Sequence, residues 1–160
     1  MRIVIQRVKS ASISVEGKHR GSIQQGLVVF VGFGRDDCES LIEQVIRKIL
    51  KLRIFSDDKG KLNLSLLDVS GGLIIVSQFT LYANTSHGNR PDFLSAMNPS
   101  DAEKLFDRFV TTVKNLYSGN VICGDFGKHM VVEIHNDGPV TIILDYESRE
   151  NGSCFKGGCS

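Results

Sequence analysis

The chain has 160 residues, 41% hydrophobic and 23% charged, and its 19 Lys and Arg against 18 Asp and Glu leave a formal net charge of +1. That is the size and balance of one globular domain able to bury a core. It excludes a membrane helix, since no apolar run approaches the ~20 residues one needs, and it disfavours a protein that coats nucleic acid through many phosphate contacts. An enzyme that touches only the end of an RNA stays open. Met1 to Arg7 alternate in polarity and carry charge, unlike the apolar core of a signal peptide, so the expected location is cytoplasmic. Cys38, Cys123, Cys154 and Cys159 are scattered without a framework, as expected of reduced thiols.

Residues 2–8 and 11–15 alternate apolar and polar positions with many β-branched side chains, which predicts two strands of a half-buried antiparallel sheet. Glu16, Gly17 and Lys18 mark the turn after them. The apolar run Leu27 to Phe33, ending among glycines, predicts a central strand buried on both faces. Leu41, Ile42, Val45, Ile46, Ile49 and Leu50 then recur at helical spacing, with Ser40 and Glu43 in the pattern of a capping box and Glu43 and Arg47 spaced for an ion pair. Arg53 to Phe55 reads as a short strand closed by a turn over residues 56–60, and Leu73 to Phe79 as another buried strand. Tyr82 to Phe93 lacks any period and reads as a long loop, a common place for function. A second helix begins at Asn98, Pro99 and Ser100, again with a capping-box pattern at Ser100 and Glu103, and its apolar stripe runs from Ala102 to Leu116. Strands are predicted at 129–135 and 140–146, joined through Asn136 to Pro139. The expected architecture is a single α+β domain over residues 1–146, with two helices packed on a strongly curved, barrel-like antiparallel or mixed sheet. Residues 147–160 are expected to form a flexible C-terminal tail.

Two segments stand out chemically. Ser77, Gln78, Phe79, Thr80 and Leu81 crowd polar groups at the end of a buried strand, which suits either a strand finishing at the surface or one opening on a wet pocket. Asp137 and Gly138 lie between alternating runs, a strong hairpin signal. Pro139 complicates it, because proline cannot donate to a ladder. His87, His129 and His135 invite a hydrolase triad with Ser77, but no nucleophile elbow supports one. His129 and His135 read as sheet residues sharing a face. Cys154 and Cys159 match no zinc spacing, so neither metal nor cofactor is expected. The basic groups Lys18, His19 and Arg20, and Arg47, Lys48, Lys51 and Arg53, read as solvated charges.

Taken together, Ser77 to Leu81 followed about sixty residues later by Asn136, Asp137, Gly138, Pro139, Val140 and Thr141 resembles the paired signature of the D-aminoacyl-tRNA deacylases, the D-tyrosyl-tRNA(Tyr) deacylase family. Ile5 to Val8, Ala11 and Ser12, Leu52 to Phe55, Gly88 to Phe93 and Gly124 to Met130 fit the same pattern, so the resemblance spans residues 1 to about 146. It implies a homodimeric esterase that removes D-amino acids, and glycine, from the 3′ end of tRNA. Each site would be completed by the partner subunit. Ser77, Gln78, Phe79 and Thr80 would form the catalytic pocket for the terminal adenosine and its ester. Gly138 and Pro139 of the other subunit, joined by a cis peptide bond and held by Arg7, would test chirality, with Met130 among the substrate-binding residues. Two positions depart from the family pattern: His87 stands where a Lys is frequent, and Lys128 where a small residue is usual. The remaining readings are a related deacylase that edits an L-amino acid mischarged on tRNA and a non-catalytic RNA-binding module. The aromatic signature of the latter is missing.

Overall fold

The computed structural model describes residues 1–146, so the tail expected at 147–160 lies outside the described residues. The organising element is β1 (Arg2–Val15), one continuous strand of 14 residues where two were expected. On one edge its first half, Arg2 to Val8, pairs antiparallel with β3 (Gly26–Gly32), while its second half, Ala11 to Val15, pairs with β2 (Lys18–Ile23). Register shifts between Gln6 and Ser10 mark the bend that lets one strand serve two sides. The tight turn into β2 puts Glu16 and Gly17 at positive φ, as the sequence suggests.

β3 runs parallel to β6 (Gly72–Ser77), and β6 runs parallel to β7 (Val121–Cys123). The sheet then curls until β7 faces β2, where Asn120 Nδ2 donates to the Ser22 carbonyl. The result is a mixed sheet nearly closed into a barrel. Closure at the lower end depends on Gly26 and Gly72. A Cβ on Gly26 would overlap the Gly72 carbonyl, and one on Gly72 would overlap Ile23.

The crossover from β3 to β6 carries α1 (Ile42–Lys51), the small hairpin of β4 (Phe55–Ser56) and β5 (Leu62–Leu64), and the short α2 (Leu66–Val69). The crossover from β6 to β7 carries α3 (Pro99–Leu116). α1 and α3 lie side by side on the outer face of the sheet. Ile42, Val45, Ile46, Ile49, Phe106, Phe109 and Val113 pack there against Ile3, Ile5, Val29, Val31, Leu73 and Ile75. A second cluster fills the barrel: Val8, Ala11, Ile13, Ile23, Val28, Ile74 and Val76, flanked by Met130, Val132 and Ile134. The alternation of β3 and β6 between these clusters is why both read as unbroken apolar runs.

Several local readings need correction. Ser40 does not cap α1; a 3-10 turn over Glu39–Leu41 leads into it, with Leu41 at the N-cap. The Glu43–Arg47 ion pair forms at 2.7 Å. The capping box lies instead at Ser65 and Asp68, on α2. α3 is capped by the Asn98 side chain with Pro99 in its first turn, rather than by Ser100. The expected hairpin at 136–139 is absent. β8 (Met130–Asp145) is one strand, whose first part pairs with Val8 to Val15 and whose last part pairs with Arg2 to Gln6. Both halves find β1, not each other, because β1 offers each a separate side of its bend.

Candidate active site

β6 ends at Ser77, two residues short of the expected strand end, and the chain turns through a 3-10 helix over Phe79–Tyr82. Val31 of β3 holds the exit: its carbonyl accepts from Gln78 N at 2.8 Å. Beneath the turn lie Gly32 and Gly34, with which it is in contact. A Cβ on Gly32 would stand 2.8 Å from the Gln78 carbonyl oxygen, and one on Gly34 would stand 2.8 Å from the Tyr82 hydroxyl. Only glycine allows this approach. The Gln78 amide donates to the Thr80 hydroxyl, and among the described residues no histidine or carboxylate shares that contact. Phe79 is 57% exposed and meets Phe93 edge to face at 5.0 Å between ring centroids. Phe93 closes the loop from Tyr82, whose neck is the paired bridge between Asn84 and Asp92. The N–H groups of Phe79 and Thr80 open the 3-10 turn, where the helical pattern supplies no acceptor.

The flank of this turn is tied down by residues that the sequence alone does not single out. Arg2 Nη1 donates to the Leu81 carbonyl at 2.8 Å, and its guanidinium lies 5.1 Å from the centre of the Tyr82 ring. The Met1 amino group donates to Asp37 Oδ1 at 2.5 Å, while Asp37 Oδ2 accepts from Gly34 N at 2.7 Å and from the Tyr82 hydroxyl at 3.5 Å. Burial, then the Asp37 carboxylate, push the Tyr82 phenol well above its ordinary range, so it stays protonated and donates. The local sequence signal for this support is the repeat Gly32, Phe33, Gly34.

Gly138 and Pro139 sit elsewhere. Asp137 to Val140 bulge out opposite the single residue Arg7, since the ladder resumes from Val8↔Asn136 to Gln6↔Thr141. That bulge is where a strand tolerates proline. The Gly138–Pro139 bond is cis, and both residues are exposed. Arg7 is only 7% exposed; its Nη1 donates to the Ile54 carbonyl at 2.6 Å and its Nε to the Asp137 carbonyl at 3.1 Å, with Asp137 Oδ2 at 3.2 Å. A Cβ on Gly138, whose φ is +118°, would stand 2.9 Å from Arg7 Nη2.

Register fixes the distance between the two segments. Arg7 pairs with Leu27 and Leu27 with Leu73, near the start of β6, whereas Ser77 ends β6. Four residues of strand rise, about 13 Å, and the width of β1 and β3 separate them. They lie at opposite ends of the barrel. Met130 lies toward the Ser77 end, because it packs on Gly124, whose N–H bonds Ile75 O at 2.9 Å. His129 precedes β8 and its N–H is held by Glu16, while His135 lies within β8 and meets the Ser10 hydroxyl at 3.1 Å. Neither forms a hydrogen bond to Ser77 among the described residues.

Residues 4–145 match the family model described as D-Tyr-tRNA(Tyr) deacylase. The chain belongs to that family. It is 50% identical to a D-aminoacyl-tRNA deacylase of Thermosipho melanesiensis and 52% identical to one of Thermosipho africanus, each over 145 residues covering 91% of this chain and 97% of the relative. Among solved structures, the c-Myc DNA Unwinding Element Binding Protein aligns at TM-score 0.86 and 39% identity, covering 92% of this chain and all of that one. Another, described as a probable eukaryotic D-amino acid tRNA deacylase, aligns at TM-score 0.80 over 91% of this chain and 98% of its own; at 19% identity this is a likeness of fold. The match to this deacylase family includes both the 3-10 turn at Phe79 and the bulge at Gly138.

Proposed function

We propose that this protein hydrolyses the ester joining a D-amino acid to the 3′-terminal adenosine of tRNA, as a homodimer in which Gly138 and Pro139 of one subunit complete the pocket at Ser77 to Thr80 of the other. One observation carries the shared site: the two signature segments lie at opposite ends of the barrel in a single chain. A second copy is the simplest way to unite them. The outer edge of β8 supports this, since among the described residues β8 pairs only with β1 and leaves Val131 and Ile143 more than half exposed. A long open edge of this kind invites a partner. The substrate, charged tRNA, fits a cytoplasmic enzyme.

Selectivity follows from a rigid wall at Cα. A pocket shaped to one side chain could not accept many D-amino acids, but a wall can refuse every L side chain while a D side chain points away. A thousandfold preference needs roughly 4 kcal/mol, within reach of a steric clash if the wall cannot retreat. Arg7, buried and bonded on both sides of the barrel corner, supports such rigidity. The Gly138 and Pro139 carbonyls would receive the substrate's α-amino group. Glycyl esters, with no side chain to refuse, should pass.

For the chemistry, water adds to the ester carbonyl, the N–H groups of Phe79 and Thr80 stabilise the oxyanion, and the ribose oxygen leaves as a hydroxyl. The ester is already activated, so positioning and oxyanion donors suffice without a cofactor. The Thr80 hydroxyl accepts from Gln78 and, among the described residues, has no base hydrogen-bonded to it. This favours water assisted by the ribose 2′-hydroxyl over Thr80 as nucleophile. The deciding assay follows ester loss from D-tyrosyl-tRNA and L-tyrosyl-tRNA. Rapid loss of the D form alone is expected. Loss of the L form alone would make the protein an editor of L-amino acids, and tRNA binding without loss of either would make it an RNA-binding module.

A further inference from the structure

The geometry points to Arg2 as a positioning residue for the 3-10 turn that carries Phe79 and Thr80, an inference resting on the reading of that turn as the ester pocket. A four-residue 3-10 turn has weak internal hydrogen bonding and does not hold its own shape. Its last carbonyls lack helical partners. Arg2 supplies one: Nη1 donates to Leu81 O at 2.8 Å, while Nε and Nη2 both donate to Asp145 Oδ2, at 3.0 and 2.8 Å. The same guanidinium lies over the Tyr82 ring. One planar fork thus fastens the turn to the end of β8, where Asp145 stands opposite Arg2 in the ladder. Lysine, a point donor on a flexible stem, cannot make all three contacts at once.

The remaining sides are already fixed. Gly32 and Gly34 form the floor, and Asp37 holds Gly34 N and Tyr82. The outward side, with Phe79 and Thr80 exposed, is left for substrate. Arg2 touches none of the groups assigned to the ester; it acts through the Leu81 carbonyl. Loss of the fork lets the turn shift, which displaces the two N–H donors that must meet the oxyanion.

The test uses the full chain with Arg2→Gln, Arg2→Lys and Asp145→Asn, measuring kcat and KM on D-tyrosyl-tRNA and on the D-tyrosyl ester of adenosine, which has no phosphate. Arg2→Gln should lower kcat about tenfold to a hundredfold with KM little changed on both substrates. Arg2→Lys should fail to restore it. Asp145→Asn should give a smaller loss of the same kind, and the double variant should be no worse than Arg2→Gln alone. A rise in KM with kcat intact, vanishing on the adenosine ester, would make Arg2 a phosphate contact and overturn the proposal. So would a lowered melting temperature with unchanged kcat. Phe79→Pro, which removes one of the two N–H donors at the first position of the turn, where proline is tolerated, separates the two levels of inference. If it turns over normally, the pocket reading fails and the Arg2 assignment with it; if it is inactive while Arg2→Gln is normal, only the Arg2 assignment falls.

Discussion

Replacing Arg7 with alanine tests the corner of the barrel and the dipeptide beside it in one experiment. Arg7 is buried and makes two charge-assisted hydrogen bonds, to the Ile54 and Asp137 carbonyls, besides its approach to the Asp137 carboxylate. Each such bond contributes about 1.5–3 kcal/mol. The carboxylate contact adds less, because the Asp137 side chain is 30% exposed and screened by solvent. Two bonds therefore suggest about 3–6 kcal/mol. Against a total stability of about 5–15 kcal/mol the variant should still fold near room temperature. Urea unfolding at matched protein concentration measures the loss, and hydrolysis of D- and L-tyrosyl-tRNA measures discrimination. The expected result is a loss of about 3–6 kcal/mol together with weakened rejection of the L ester. A loss under about 1 kcal/mol with discrimination intact would refute the reasoning, because the bulge at Asp137 to Val140 would then be held by the sheet alone.

Thr80→Ala should keep turnover within about tenfold of wild type; abolished turnover with substrate binding preserved would make the Thr80 hydroxyl the nucleophile. Gly26→Ala should lower the melting temperature by roughly 6–12 °C, the equivalent of about 3 kcal/mol in a domain of this size, because its Cβ meets the Gly72 carbonyl. A melt unchanged within error would show that β3 and β6 can part there at no cost. On α2, the Ser65 hydroxyl and N–H hold the Asp68 carboxyl below its ordinary value of 3.8. That stabilisation is present above 3.8 and is lost as pH falls through the lowered folded-state value. Asp68→Asn should therefore be less stable than wild type near neutral pH, with the gap closing in acid; a gap that widens in acid contradicts the assignment.

Periodicity made the long elements legible. The heptad-like run from Leu41 to Leu50, the stripe from Ala102 to Leu116 and the apolar runs of β3 and β6 each have one period over enough residues to be unambiguous. Short elements that depend on neighbours were not legible: β2, β5 and β7 have two or three inward residues apiece, too few for a period to register. The cap signals were displaced by one turn or less, because Ser40 and Ser100 fit the pattern while the 3-10 entry to α1 and the Asn98–Pro99 pair fit better. The hairpin expected at Asp137 and Gly138 failed for a tertiary reason. Local turn chemistry favours a reversal, but β1 is long enough to pair with both halves of β8, on either side of its bend, so the dipeptide becomes a bulge. Of the candidate site, Ser77 to Thr80 with Gly138 and Pro139 stood out in the sequence as a paired signature, and Arg7 entered only through the resemblance. Arg2 and Asp37 did not, since single charged residues beside a strand end carry no local pattern.

The separation of Phe79 from Gly138 along one chain has a genetic corollary. A chain disabled at Phe79 and another disabled at Gly138 are each inactive alone, yet on the proposed arrangement their mixed dimer joins an intact turn from one to an intact bulge from the other. Refolded together in equal amounts, two inactive preparations should recover roughly a quarter of wild-type activity, from one working site in each mixed pair. Defects at the two ends of the barrel would then complement, whereas two defects at the same end would not.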